Sequence, residues 1–190
     1  MNMSYIVDNI ARVRETVPAG VTLVCVSKFH PVPMLEQAYA AGERDFGESR
    51  VQEMVDKHRQ LPEDIRWHFI GHLQTNKVKQ IVPFVSLIHG VDSLRLMDEI
   101  NKEALKIGRV VPVLLEMHVA EEETKSGFAP DELESLAPLI ELNHAAPMLR
   151  EYPGLNICGL MGMASNTDDE EQVRREFNML RTAYRNLFPH

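Results

Sequence analysis

Cysteine, aromatic residues and long hydrophobic runs are all scarce in this sequence, and each scarcity excludes a class of protein. The only cysteines, Cys25 and Cys158, cannot form a disulfide framework, and because both lie in apolar runs we expect buried free thiols. No apolar stretch is long enough to cross a bilayer, and the first residues lack the hydrophobic segment of a secretory signal. These features predict a cytoplasmic protein with no membrane partner.

Positive charge is also in short supply. The chain has 20 Lys and Arg against 28 Asp and Glu, a formal net charge of −8, and no long basic run. Nucleic-acid binding usually needs a basic face, so we expect no nucleic-acid partner. The 190 residues are 44% hydrophobic and 25% charged, a balance typical of ordinary globular proteins. We therefore predict that residues 1–190 form a single domain.

Short apolar runs alternate with amphipathic stretches along the whole chain. The first run, VTLVCV, is apolar throughout, which is typical of a strand buried on both faces. Ser4 is a candidate cap for the first helix, and Thr167 or Asp168 for the last. The predicted strands are 21–26, 44–46, 65–70, 84–88, 110–119 and 156–161. The helices predicted between them are 34–41, 51–60, 76–82, 94–106 and 131–143.

This alternation predicts an α/β fold with parallel strands joined by helical crossovers. A doubly wound sheet would carry a glycine-rich turn after the first strand, and VSKFHP has none. A (β/α)8 TIM-type barrel is therefore favoured. Such barrels usually need roughly 200 residues or more, and six units cannot close one. We expect the last two strands to be missing from this chain.

The carboxyl ends of the strands are where parallel β/α folds collect functional groups. Lys28 directly follows the first strand, so its amine is expected at the barrel mouth. Partial burial there would lower the pKa of a lysine and free its amine to attack a carbonyl group. An ordinary strand-end lysine, solvated or in a salt bridge, is the alternative. His68 and His72 are four residues apart, but on a strand end that spacing does not bring two imidazoles together, so we expect no metal site.

Six segments resemble, in order and spacing, the pyridoxal phosphate homeostasis protein family (the YggS/PROSC group), which is related to the N-terminal barrel of alanine racemase. The resemblance covers nearly the whole chain. The matching segments are VSKFHP (26–31), FGESRVQE (46–53), WHFIGHLQTNK (67–77), IHGVDS (88–93), ETKSGF (123–128) and CGLMGMA (158–164).

The resemblance implies a fold-type III barrel that holds pyridoxal 5′-phosphate (PLP) as a Schiff base on Lys28. We assign Ser49, His89 and Met161 as further cofactor-binding residues. The family usually reads FGEN where this chain reads FGES, so Ser49 offers a shorter side chain without an amide donor. Family members act in vitamin B6 and amino-acid homeostasis and are not established as efficient enzymes. The expected partners are PLP itself, amino acids and PLP-dependent apoenzymes.

The end of the sequence is the largest departure from the family. Relatives continue with a strand and an arginine-containing loop that supply most of the phosphate cup, whereas this chain stops at His190. We expect it to be a fragment or, if complete, to bind PLP weakly. Two other functions remain open. One is a PLP-dependent racemase or lyase using Lys28 and His89, and the other is a cofactor-free aldolase in which Lys28 attacks the substrate.

Overall fold

A computed structural model describes residues 3–122, 126–145 and 151–189. Its sheet contains six strands, all parallel, in the order β1-β2-β3-β4-β5-β6. Each strand therefore pairs with the next strand along the chain, as in a β/α barrel. The strands are Cys25–Val26 (β1), Asp45–Glu48 (β2), Arg66–Phe69 (β3), Leu87–Val91 (β4), Val111–Glu116 (β5) and Leu155–Met161 (β6).

Helices alternate with these strands. A single 3-10 turn, Thr75–Lys77, precedes the fourth helix. The helices are Met3–Thr16 (α1), Val32–Ala40 (α2), Val51–His58 (α3), Val78–Ile81 (α4), Leu94–Lys106 (α5), Pro130–Ser135 (α6), Ala137–Ala145 (α7) and Glu170–Leu187 (α8). The predicted α/β architecture is confirmed as a partial barrel of six strand-helix units.

The two faces of the sheet differ in chemistry because successive side chains on a strand point to opposite sides. One face, here the helix-covered face, carries large apolar side chains that form the core with the helices, among them Phe46, Trp67 and Phe69. α5 contributes a fully buried stripe to the same core, with its polar side in solvent. The opposite side, here the barrel face, carries Asp45 and His68, whose side chains bond each other rather than the core.

Several element boundaries differ from the prediction. β1 covers Cys25–Val26 and not all of 21–26, because its pairing with β2 starts at Cys25 and Phe46. β4 starts at Leu87, later than expected, because the amides of Phe84 and Val85 still bond the carbonyl of Ile81 at the end of α4. β2 runs on to Glu48, past the predicted end of the second strand.

The helix predicted at 131–143 is two helices, α6 and α7. Pro138 lies in the first turn of α7, where it has no N–H to donate and disfavours a helical conformation at the residue before it. The capping predictions were also wrong. Asp169, and not Thr167 or Asp168, caps α8 by accepting from the amides of Glu171 and Gln172. α1 already begins at Met3, so Ser4 lies inside the helix.

The two cysteines are free but not both buried. Cys25 is half-buried, and burial, with a contribution from Glu43, raises its thiol pKa to about 11. Cys158 is exposed, which corrects the expectation of two buried thiols. Among the helices of the described ranges, none combines the length and apolarity that crossing a membrane requires.

Candidate functional site

Three of the residues assigned from the sequence can be located relative to the register of the sheet. Val26 pairs with Gly47, Gly47 with His68, and His68 with Leu87. Two residues further in each segment, the same count reaches Lys28, Ser49, Ile70 and His89, but only His89 still lies within a strand, since β1 ends at Val26, β2 at Glu48 and β3 at Phe69. His89 lies inside β4 and contacts His68 on the barrel face, whereas Lys28, Ser49 and Ile70 follow the carboxyl ends of their strands.

Lys28 itself is exposed. Its amine forms no hydrogen bond or ion pair with any residue in the described part of the chain. The next residue, Phe29, has a φ of 66°, the left-handed region that non-glycine residues rarely adopt. Lys28 and Phe29 are thus the two central residues of a turn, which the amide of His30 closes by donating to the carbonyl oxygen of Ser27 at 3.1 Å.

A buried polar cluster beneath Lys28 fixes this turn. Ser27 donates through its hydroxyl to the carboxylate of Glu48 at 2.6 Å. The ammonium of Lys57, on α3, donates to the carbonyl oxygen of Ser27 at 2.8 Å and to the carboxylates of Glu48 and Glu53 at 2.7 Å each. Glu53 in turn accepts the amide of Phe29 at 2.7 Å. The backbone on both sides of Lys28 is thus tied to α3.

The charged side chains of this cluster are unusually deeply buried. Glu48 is 0% exposed and Lys57 is 5% exposed. Burial raises the pKa of Glu48, against the hydrogen bonds from Lys57 and Ser27. Burial alone would also raise the pKa of Glu53, but the bonds from Lys57 and the Phe29 amide lower it. One oxygen of Glu48, Oε2, is buried and has no hydrogen-bond partner among the described residues.

Ser49 is half-buried, and its backbone is held by close packing. A Cβ added to Gly71 would lie only 2.3 Å from the carbonyl oxygen of Ser49. This contact is possible only because residue 71 is glycine, and it brings the ends of β2 and β3 together. The glycine after WHFI therefore has a packing role that sequence reasoning did not assign.

Met161 is brought beside a carboxyl group that the sequence analysis missed. A Cβ on Gly90 would lie 3.0 Å from Oε2 of Glu116 and 3.7 Å from Cε of Met161. Glu116 is 3% exposed, and the one hydrogen bond to its carboxyl group in the described structure comes from the Ser126 hydroxyl at 3.3 Å. Burial raises the pKa of Glu116. The ends of β4, β5 and β6 thus converge on a buried carboxyl group.

His89 is half-buried and belongs to a chain of hydrogen bonds along the barrel face. Its Nε2 lies 2.9 Å from Nδ1 of His68, whose Nε2 lies 3.0 Å from Oδ1 of Asp45. Burial, and to a smaller extent the proximity of His68, lowers the pKa of His89 to about 4. Arg66 closes the chain with two hydrogen bonds to Asp45, at 2.7 and 2.5 Å.

His68 and His72 point to different partners, as their strand spacing predicts. His68 contacts His89, whereas the exposed His72 pairs with Asp92 at 3.0 Å. In the ranges that the structure covers, no group of His, Cys, Asp and Glu side chains is arranged to hold a metal ion. The first half of the ETKSGF segment, including Lys125, lies outside the described residues.

Sequence and structure comparisons agree on one family. The family model described as "Alanine racemase, N-terminal domain" matches residues 1–189. A protein of Aquifex aeolicus named pyridoxal phosphate homeostasis protein is 38% identical over 183 residues, which cover 94% of this chain and 76% of the relative.

Two solved structures of PipY from Synechococcus elongatus PCC7942 share this fold. The structure without PLP has a TM-score of 0.86 at 33% identity and covers 96% of this chain and 81% of PipY. The structure with PLP bound has a TM-score of 0.82 at 32% identity, over the same shares. With its fold, its motifs and these relatives in agreement, the chain belongs to the pyridoxal phosphate homeostasis protein family, within the alanine racemase N-terminal domain family.

Proposed function

We propose that this protein binds PLP at the carboxyl ends of its strands, holds it as a Schiff base on Lys28, and acts in PLP homeostasis in the cytoplasm. The observation that carries the proposal is the free amine of Lys28, which directly follows β1, next to the end of β2 where Ser49 lies. The relatives support it, because PipY has been solved with PLP bound and the Aquifex aeolicus protein is named for PLP homeostasis.

The residues present fit the reactive end of the cofactor. PLP carries an aldehyde, which a neutral primary amine attacks to form a C=N bond with loss of one water molecule. Lys28 is exposed and has no partner in the described part of the chain, so its amine is available for this step. Lys57, the lysine of the buried polar cluster, already donates to three acceptors and is not available for this step.

Three further side chains would contact the rest of the cofactor. The hydroxyl of Ser49 would hydrogen-bond a cofactor oxygen, and the half-buried imidazole of His89 would offer a ring nitrogen. The thioether of Met161 would pack against the ring. Arg50, whose guanidinium lies 4.8 Å from the centre of the Phe29 ring, is a positive group that would attract the phosphate.

A cofactor held in this way can also be given up, because water reverses the Schiff base. We therefore propose reversible storage of PLP, with PLP-dependent apoenzymes and amino acids as the partners that receive it. The tertiary structure supports storage because the lysine is exposed and its surroundings are fixed by the Ser27–Glu48–Lys57 bonds.

Borohydride reduction after incubation with PLP tests the proposal. We expect one pyridoxyl group, located by peptide mass spectrometry on the peptide that contains Lys28, and none on that peptide in a Lys28→Ala variant. Lys79→Ala is the matched control, since Lys79 is also exposed, and it should label like the unmodified chain. Labels scattered over several lysines in all three proteins would refute the assignment of Lys28.

A racemase or lyase is the second candidate, favoured by the acid-base groups near the site. Glu116 is a buried carboxyl group with a raised pKa, and His89 is a half-buried imidazole with a lowered one. Exchange of the α-proton of an amino acid with deuterium from solvent, in the presence of PLP, would favour turnover over storage. Labelling of Lys28 without such exchange would favour storage.

A further inference from the structure

The barrel face carries a hydrogen-bonded line of three side chains from three neighbouring strands. Asp45 on β2, His68 on β3 and His89 on β4 are linked by contacts of 3.0 and 2.9 Å. Asp45 is 9% exposed and His68 is 7% exposed, so water competes little with these bonds. Formation of the Schiff base on Lys28 requires neither of these two hydrogen bonds.

Hydrogen-bond chemistry fixes where the protons lie. The hydrogen bond from Arg66 holds the pKa of Asp45 below its usual value, so the carboxylate only accepts, and His68 must donate through Nε2–H. The other nitrogen of a neutral His68, Nδ1, is then an acceptor. His89 must supply the shared proton from its own Nε2, which leaves its Nδ1 without a proton.

We propose that Asp45, His68 and His89 form a proton relay that lets His89 take up a proton without becoming charged. When a proton from solvent or from a bound molecule joins Nδ1 of His89, the Nε2–H bond of His89 breaks and its proton passes to Nδ1 of His68. His68 becomes an imidazolium that still donates to Asp45 through Nε2. One proton enters, one moves, and the positive charge comes to rest on His68.

The surroundings explain why the charge rests there. Burial disfavours a charge on His89, whose pKa falls to about 4, whereas His68 faces the carboxylate of Asp45. Arg66 opposes a second positive charge near Asp45, but its side chain is 57% exposed and therefore well screened by water. On the β5 side, the carboxyl group of Glu116 reaches Gly90, next to His89, and burial favours its neutral form.

The consequence is a proton donor and acceptor at His89, on the barrel face. His89 presents a bare Nδ1 in one state and an Nδ1–H in the other, and it is neutral in both. A bound molecule would therefore meet an acceptor or a donor, depending on whether His68 holds the extra proton. Asp45 and His68 act through His89 and are positioning residues.

Nitrogen-15 NMR of the histidine side chains, in the protein without PLP, tests the relay. His68→Gln and His89→Gln variants assign the signals. As the pH falls, we expect His68 to become doubly protonated while His89 stays neutral and its proton moves from Nε2 to Nδ1, both changes sharing one midpoint. Direct conversion of His89 to imidazolium, or an unchanged tautomer of His89 while His68 titrates, would overturn the proposal.

An Asp45→Asn variant tests the role of the carboxylate. Loss of the negative charge should move the tautomer change of His89 to lower pH by about one unit or more. Asp92→Asn is the matched control because Asp92 pairs with a different histidine, His72, and it should leave the change of His89 in place. An unmoved midpoint in Asp45→Asn, or an equal shift in Asp92→Asn, would refute the relay, and the titration of the unmodified chain remains decisive if Asp45→Asn does not fold.

Discussion

The ammonium of Lys57 donates a 2.8 Å hydrogen bond to the carbonyl oxygen of Ser27, one residue before Lys28. One buried lysine thus holds the backbone of another lysine that is exposed and free. The environments of the two amines are opposite. The amine of Lys57 has three oxygen acceptors, whereas that of Lys28 has none in the described part of the structure.

Replacing Lys57 by methionine should destabilise the fold strongly. The change leaves the carboxylate of Glu48 buried without its counter-charge, which typically costs about 3–5 kcal/mol in the free energy of unfolding. Urea denaturation measures the loss. The double variant Lys57→Met/Glu48→Gln should recover part of it, because glutamine removes the uncompensated charge. A loss below about 1 kcal/mol, the size expected of an exposed ion pair, would contradict a structural role for the pair.

Replacing Gly71 by alanine should cost more stability than replacing Gly47 by alanine. At Gly71 the new methyl group would lie 2.3 Å from a backbone oxygen of Ser49, so the ends of β2 and β3 must separate. At Gly47 the nearest atoms are side-chain carbons of Ile70 and Val24 at 3.2 Å, which can shift slightly. Overpacking typically costs about 1–3 kcal/mol, and we place Gly71→Ala at the upper end. Equal urea midpoints for the two variants would argue against the close contact.

The conformation of Phe29 predicts an unusual preference for glycine over alanine. A left-handed conformation costs a non-glycine residue roughly 1–2 kcal/mol, so Phe29→Gly should be more stable than Phe29→Ala by about 1 kcal/mol. His30 is the control, because it is also exposed but is not among the positive-φ residues. There the order should reverse, with the alanine variant the more stable one. The same order at both positions would contradict the assigned turn.

Glu116 predicts a specific dependence of stability on pH. Its folded-state pKa is raised by burial, so the folded protein binds more protons than the unfolded chain between the two values. The protonated carboxyl group therefore makes its whole contribution to the free energy of unfolding below the unfolded-state pKa of about 4.3. That contribution is lost as the pH rises through the pKa of Glu116 in the folded protein.

Glu116→Gln should remove this dependence and leave the variant more stable than the unmodified protein at the upper end of the range. Urea denaturation at a series of pH values measures the difference between the two proteins. Glu36→Gln, which changes an exposed glutamate, controls for the loss of one negative charge. Parallel pH profiles for Glu116→Gln and the unmodified chain would disprove the assignment.

Much of the fold could be predicted because it depends on patterns that are local in sequence. Alternating apolar runs and amphipathic stretches gave six strand-helix units in the observed order. The errors arose where tertiary pairing decides the outcome. Residues 21–24 are as apolar as Cys25 and Val26, yet only the latter two pair with β2. The break between α6 and α7 at Leu136 was a missed local signal, since Pro138 marks it in the sequence.

The residues of the candidate site were also predictable only in part. The positions of Lys28 and Ser49 directly after β1 and β2 could be predicted because strand ends can be located from the sequence, whereas His89 lies inside β4 and not after its end. Lys57 could not, because a lysine four residues after Glu53 on a helix is usually a solvated ion pair. Its burial depends on Glu48, from a separate strand. The acidic residues within the apolar runs of β2 and β5, Asp45, Glu48 and Glu116, were the available signal.

The serial order of the strands has a consequence for how the chain reaches its structure. Because every strand pairs with its nearest neighbour along the sequence, each new pairing closes only the loop formed by one crossover. Loop-closure entropy grows with the length of chain enclosed, and folding rates fall as contacts become more distant in sequence. A sheet assembled in chain order avoids the longest closures. The buried polar cluster next to Lys28, which is built from β1, β2 and α3, can therefore form before the strands that carry Glu116 and Met161 have joined the sheet.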